Sequence, residues 1–213
     1  MKIKEVYFLD FFNSLTSGEK INCARIVDSL VNENVDIKEI YTGLFQRSLY
    51  RIGKMWEQNQ LSIAEEHAAT QIVESLIGSV QPKYNPSAQN GKKVIVSCVD
   101  KEFHLIGARM AAHIFELNGW DVTFLGASTP TREMIKLIEQ KKPEIVGLSF
   151  NFYLNYLRLL EEIDMIRKNF PEQKILVGGQ GIKNTDENML KKYNNLFYFD
   201  SVNELDNYLK QIN

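Results

Sequence analysis

The sequence predicts an α/β protein in two parts, a four-helix bundle followed by a domain built on a five-stranded parallel sheet. Three observations carry that prediction. Apolar residues recur at helical spacing up to about residue 80; an aperiodic stretch with two prolines and a glycine follows; and beyond it short β-branched or aromatic runs alternate with amphipathic ones. The parts read as 1–81 for the helical cap, 82–91 for a linker and 92–213 for the α/β domain.

In the first part the helices are expected near residues 3–14, 17–33, 37–56 and 62–80. Start signals that fit capping boxes precede three of them: Thr16-Ser17-Gly18-Glu19, Asp36-Ile37-Lys38-Glu39 and Ser62-Ile63-Ala64-Glu65. Only Gly43 and Gly53 interrupt the third helix. Short connections make neighbours antiparallel. The linker, Pro82 to Gly91, is polar and lacks periodicity.

In the second part the strands are expected at Lys93 to Cys98, Val122 to Leu125, Ile145 to Phe150, Lys174 to Val177 and Leu196 to Phe199. Helices fill the gaps. Thr129-Pro130 reads as a helix start with proline at the first position, and Asn184 with Glu187 as a further cap. Alternation of this kind implies right-handed crossovers and a sheet covered on both faces, a flavodoxin-like, Rossmann-type arrangement. Ligands then bind at the strand C-termini.

Composition excludes several classes. The 213 residues are 44% apolar, enough for packed cores, and the net charge is −2 with a sequence pI near 6.0. That balance gives no reason to expect direct binding to nucleic acid. No run approaches a membrane span and the N-terminus has no signal-peptide pattern, so a cytoplasmic protein is expected. Cys23 and Cys98 lie far apart and read as buried thiols.

The chemistry concentrates in the loops after the strands. Glu102-Phe103-His104-Leu105-Ile106-Gly107 follows the first strand, and in an extended loop Glu102 and His104 point the same way. A neutral imidazole binds a metal through one nitrogen while the other donates to a carboxylate that fixes its tautomer. Gly107 allows close approach of a large planar ligand. The bland alternative is a helix N-terminus with a solvated Glu and a partly buried His. The third strand ends in Gly147-Leu148-Ser149-Phe150-Asn151 and the fourth in Val177-Gly178-Gly179-Gln180-Gly181, which together read as a slot for a flat or extended group, or as a tight turn. Neither a dinucleotide fingerprint nor a P-loop is present.

These loops, taken in order, resemble the cobalamin-binding domain family over residues 92–213. The resemblance implies a base-off corrinoid with His104 as the lower cobalt ligand, Glu102 bonded to the far side of its ring, and the displaced nucleotide tail passing Gly107, Ser149, Gly178 and Gly179. Most members have Asp where this chain has Glu102. The serine motif usually continues to Leu or Thr, where this chain has Asn151.

In the helical part, Ile63, Glu66, His67 and Thr70 share a helix face, with Trp56 across a short turn. Without a cofactor motif they read as a core tryptophan and a solvated Glu-His pair. The Trp-x9-Glu-His spacing resembles the cap of the CarH and LitR type of B12-dependent photoreceptors over residues 36–80. That implies Trp56 and Ile63 packing a 5′-deoxyadenosyl group, with Glu66 and His67 hydrogen-bonding its ribose or surrounding it. Light would then cleave the cobalt–carbon bond and release the cap. Photoreceptors of that type begin with a DNA-binding module, for which there is no room ahead of this bundle, so output is expected through self-association or a partner protein. The histidine that follows the family tryptophan is Glu57 here, and a bis-histidine product is therefore not implied. His113 is expected to be structural.

The reading is an adenosylcobalamin-binding, light-responsive sensor that is not itself an enzyme. The alternative is a methyl-carrying corrinoid protein that uses methylcobalamin and serves a methyltransferase system.

Overall fold

The structure is a computed structural model that describes residues 2–181, 190 and 192–213. The chain divides into two compact units, Met1–Asn85 and Pro86–Asn213.

The first unit is helical, with α1 (Glu5–Thr16), α2 (Lys20–Asn32), α3 (Ile37–Glu39), α4 (Arg47–Glu57) and α5 (Ile63–Val80). Helix α5 packs against α1, α2 and α4. The core is aromatic: Phe11 and Tyr41 both pack on Phe45, with ring centroids 5.7 and 6.2 Å away, and all three are fully buried.

The third predicted helix forms, but α3 and α4 are joined by a π-helical segment, Ile40–Gln46. Glu39 folds over Gly43, where a Cβ would lie 2.6 Å from the carboxyl oxygen. Thr42 Oγ1 donates back to Lys38 O at 2.8 Å, a bond that competes with the regular helical ladder. Both features sit where the helix widens.

Of the three expected capping boxes, one forms completely: Glu65 N donates to Ser62 Oγ and Ser62 N to Glu65 Oε2. Asp36 caps α3 through Lys38 N, but Glu39 instead accepts from Ile3 N, so the box is not closed. The third expectation is corrected. Thr16, Ser17 and Gly18 end α1 rather than begin α2, whose N-cap Glu19 makes no side-chain bond. Gly18 takes φ +72° and donates to Leu15 O, while Glu19 N reaches Ser14 O at 2.8 Å, the paired bonds of a Schellman motif. Thr16 Oγ1 turns back to Phe12 O.

The second unit carries β1 (Lys93–Cys98), β2 (Asp121–Gly126), β3 (Ile145–Ser149), β4 (Lys174–Gly178) and β5 (Leu196–Phe199) in one all-parallel sheet of order β2-β1-β3-β4-β5. This is the flavodoxin-like order, in which the crevice opens between the loops after β1 and β3. Helices α6 (Ile106–Leu117) and α9 (Val202–Ile212) cover one face, packing on Val94, Val96 and Leu176. Helices α7 (Thr131–Lys141) and α8 (Tyr156–Asn169) cover the other, packing on Ile95, Val146 and Val177. Alternate residues of each strand therefore feed opposite cores. Pro130 is the N-cap of α7, one position before its expected place. The cap expected at Asn184 and Glu187 lies outside the described residues.

The aperiodic stretch is tied at both ends. Tyr84 OH donates to Val35 O in the helical unit, whereas Ser87 N and Asn90 N donate to Leu117 O and Gly119 O in the α/β unit.

Candidate functional site

The site is built from the ends of three adjacent strands, because the register pairs Cys98 with Ser149 and Ser149 with Gly178. After β1, Val99 N extends the ladder to Ser149 O and the chain then turns sharply. Lys101 takes φ +61°, and Glu102 N returns to Val99 O at 2.8 Å. The turn drives the Glu102 carboxyl inward until it is fully buried.

Its two oxygens are spoken for. Oε1 accepts from His104 N at 3.0 Å and from His104 Nδ1 at 2.5 Å, while Oε2 accepts from Phe152 N at 2.8 Å, Asn151 N at 3.1 Å and Asn155 Nδ2 at 3.3 Å. Burial pushes the Glu102 pKa up, but the bonds from the His104 ring and from the backbone of Phe152, His104 and Asn151 outweigh it and hold the group down at about 2. Glu102 is thus a carboxylate at neutral pH. It fixes the proton of His104 on Nδ1, so the lone pair resides on Nε2, the form that ligates a metal. The His104 side chain is 66% exposed, so a ligand can reach its ring.

Asn151 joins the three loops. Its amide donates to His104 O at 3.1 Å and to Ser149 Oγ at 3.3 Å, and its carbonyl oxygen accepts from Gln180 N. The residue that departs from the expected Leu or Thr is therefore the hub of the arrangement. Asn155 and the backbone of Phe152 were not expected as partners of Glu102. No periodicity marks them, since the carboxylate they serve is some fifty positions away in sequence.

Ser149 is buried, with its hydroxyl engaged by Asn151. Gly107 lies in the first turn of α6, and a Cβ there would meet nothing within 4 Å. At Gly178 an added Cβ would make only ordinary contact with Phe199 O. Gly179 is different: with φ +109° and a notional Cβ 2.2 Å from Phe150 O, it is required by the turn itself.

The segments after β1 and β3 carry exposed apolar side chains. Phe103, Phe152, Tyr153, Leu154 and Leu157 are all exposed on the two flanking segments, and the Phe152 ring centroid is 6.3 Å from that of His104. Among the described residues no group of three or more His, Cys, Asp or Glu could hold a metal ion. One oriented imidazole with an exposed aromatic ring beside it suits a metal that brings its own macrocycle. The donor chemistry fits a corrinoid.

In the helical unit, Trp56 closes α4 and Ile63 opens α5, with 45% and 57% of their surfaces exposed. Glu66 accepts from Thr70 Oγ1 at 2.9 Å and lies 3.6 Å from His67 Nε2. Trp56 is accordingly not a core residue. Cys23 and Cys98 are buried thiols, with burial lifting their pKa values to about 11 and about 12. His113 is buried in α6, and burial lowers its pKa to about 4.

Two family models match the chain, each described as a B12 binding domain, one over residues 92–205 and one over residues 9–80. Among curated relatives, the HTH-type transcriptional repressor CarA of Myxococcus xanthus is 25% identical over 176 residues, 81% of this chain and 58% of the relative. Trimethylamine corrinoid protein 1 of Methanosarcina acetivorans is 20% identical over 152 residues, 70% of each chain. The chain thus spans little more than half of the repressor it matches. Among solved structures, the Methanosarcina barkeri monomethylamine corrinoid protein superposes with a TM-score of 0.84 at 12% identity, covering 99% of this chain and 100% of that one.

Proposed function

The chain belongs to the B12-binding domain family and is a cobalamin-binding protein, and on that premise we propose that it is an adenosylcobalamin-dependent, light-responsive sensor that signals by changing its association with itself or with a partner protein. The observation that carries this reading is the presence, in one chain, of the Glu102-His104 loop and the Trp56-x9-Glu66-His67 helix pair. The match to CarA spans 81% of the chain, more than the α/β domain alone supplies, and so supports reading the two motifs together. The chemistry supplied by the bound cofactor is a light-labile cobalt–carbon bond.

The chain's residues do the rest. His104 would ligate the cobalt of a bound corrinoid, with the basicity and orientation of its ring set by Glu102. Gly107, Ser149, Gly178 and Gly179 would lie beside the nucleotide tail of a bound corrinoid. Trp56 and Ile63 offer an apolar wall to the adenosyl group, and Glu66 and His67 offer hydrogen bonds to its ribose. An assembly change requires that the adenosyl-bound and adenosyl-free states favour different associations, since a ligand shifts only an equilibrium it binds unequally.

A methyl-carrying corrinoid protein serving a methyltransferase is the second reading, favoured by the match over 70% of the trimethylamine corrinoid protein. Competition between adenosylcobalamin and methylcobalamin for the purified protein, in the dark, separates the two. The sensor binds the adenosyl form more tightly, and Trp56→Ala selectively weakens that form. Equal or preferential binding of methylcobalamin, unaffected by the substitution, would transfer the assignment to the carrier.

A further inference from the structure

One buried acid takes no part in the site described above. Glu162 lies on the core-facing stripe of α8, between Leu159 and Ile166, and is only 1% exposed. Its Oε2 accepts from Asp100 N at 3.2 Å, whereas Oε1 is buried with no hydrogen-bond partner. Few buried carboxyls are left so, because an unpaired charge in an apolar core costs far more than an unpaired neutral oxygen.

Among the described residues, the titratable groups that interact with it are Asp100 in the loop after β1 and Cys98 at the end of β1. Arg158 is turned to Asp100, at 3.9 Å from its carboxyl. Asp100 therefore adds a like charge beside Glu162 without supplying a partner. Asp100 also begins the segment that carries the cobalt ligand. Every backbone N–H from Asp100 to Glu102, and that of His104, is bonded: Asp100 N to Glu162, Lys101 N to Ser128 Oγ, Glu102 N to Val99 O and His104 N to Glu102 Oε1.

We infer that Glu162 is a positioning residue for the ligand loop: uncharged, it stays in the core and holds the Asp100 N–H from beneath, and once it loses its proton the cost of a buried charge, greater than what the N–H bond returns, favours states in which the loop that carries His104 lifts and water reaches the carboxylate. Burial raises its pKa, the bond from the Asp100 N–H opposes that shift, and the Asp100 charge adds to it, with the balance at about 8. The direction follows from linkage. A carboxyl whose pKa is raised in the closed loop binds its proton more tightly there, so closure is favoured at lower pH and is lost as pH rises through about 8. Between pH 7 and 9 the ratio of closed to open loop should fall about tenfold.

The loop's behaviour can be read without cofactor; only its consequence for cobalamin retention rests on the function proposed above. In unloaded protein, hydrogen exchange at the Asp100, Lys101, Glu102 and His104 amides, corrected for intrinsic base catalysis, should lose about tenfold protection from pH 7 to 9. Glu162→Gln, which cannot ionise, should show a flat profile, and Glu162→Leu does the same if the amide is not tolerated. The infrared band of a protonated carboxyl should disappear over the same interval in the wild-type protein alone. A flat wild-type profile, a Glu162→Gln profile equal to the wild type, or no such infrared band would overturn the inference. In protein loaded with hydroxocobalamin, release should quicken over that interval in the wild type and not in Glu162→Gln. Absence of any cobalamin binding would strike the function while leaving the loop result standing.

Discussion

Glu102 is the residue on which the site turns, because its charge is both costly and useful. Complete burial of a carboxylate is sustained only by the N–H groups of His104, Asn151 and Phe152, the His104 ring and the Asn155 amide. Glu102→Gln turns a donor toward some of those donors, and cobalamin affinity should fall between 10- and 100-fold, roughly the usual cost of losing a ligand's supporting partner, as measured by equilibrium titration. The folded-state pKa of Glu102 is depressed to about 2, so its contribution is present above the ordinary carboxylate range and is lost as pH falls from about 4.5 toward 2. That contribution is on the order of 3 kcal/mol. The stability gap between wild type and Glu102→Gln in urea titrations should narrow across that acid window. Gly179→Ala should cost about 2 kcal/mol or more, because it combines strained backbone with collision against Phe150 O. Gly107→Ala meets open space and should leave apoprotein stability nearly unchanged.

Among the elements, legibility depended on whether the signal was local. Strand β1 and helix α5 declare themselves through apolar runs and the Ser62-Glu65 box, and both formed as expected. Ser62→Ala should lower stability by about 1 kcal/mol, read from the urea midpoint. The segment Thr16 to Glu19 misled because the small polar residues that start helices also surround the glycine that ends them. Only the bonds from Gly18 and Glu19 back to α1 decide between the two. The π segment at Ile40–Gln46 escaped because seven residues set inside a longer helical run are too few for an apolar pattern to separate i→i+5 from i→i+4 bonding. The partners of Glu102 escaped for another reason. Asn151 and Asn155 acquire meaning only when β3 is laid beside β1, and sequence spacing does not encode that contact.

At the scale of the molecule, each unit presents unusual surface. The α/β unit exposes Phe103, Phe152, Tyr153, Leu154 and Leu157 near an oriented imidazole, and the helical unit exposes Trp56 and Ile63. No helix among the described residues is long and apolar enough to cross a membrane. The sheet order places the ligand loops at a topological switch point, and the family match identifies the ligand as a cobalamin. The proposed sensor and the methyl carrier are separated by what loss of the adenosyl group does to assembly. The direct measurement is the molar mass of protein loaded with adenosylcobalamin, by size exclusion with light scattering, in the dark and after green illumination. The sensor predicts a change in the visible spectrum accompanied by a change in mass, alone or with its partner, and no mass change in Trp56→Ala. A spectrum that bleaches while the mass stays constant in every mixture would contradict it.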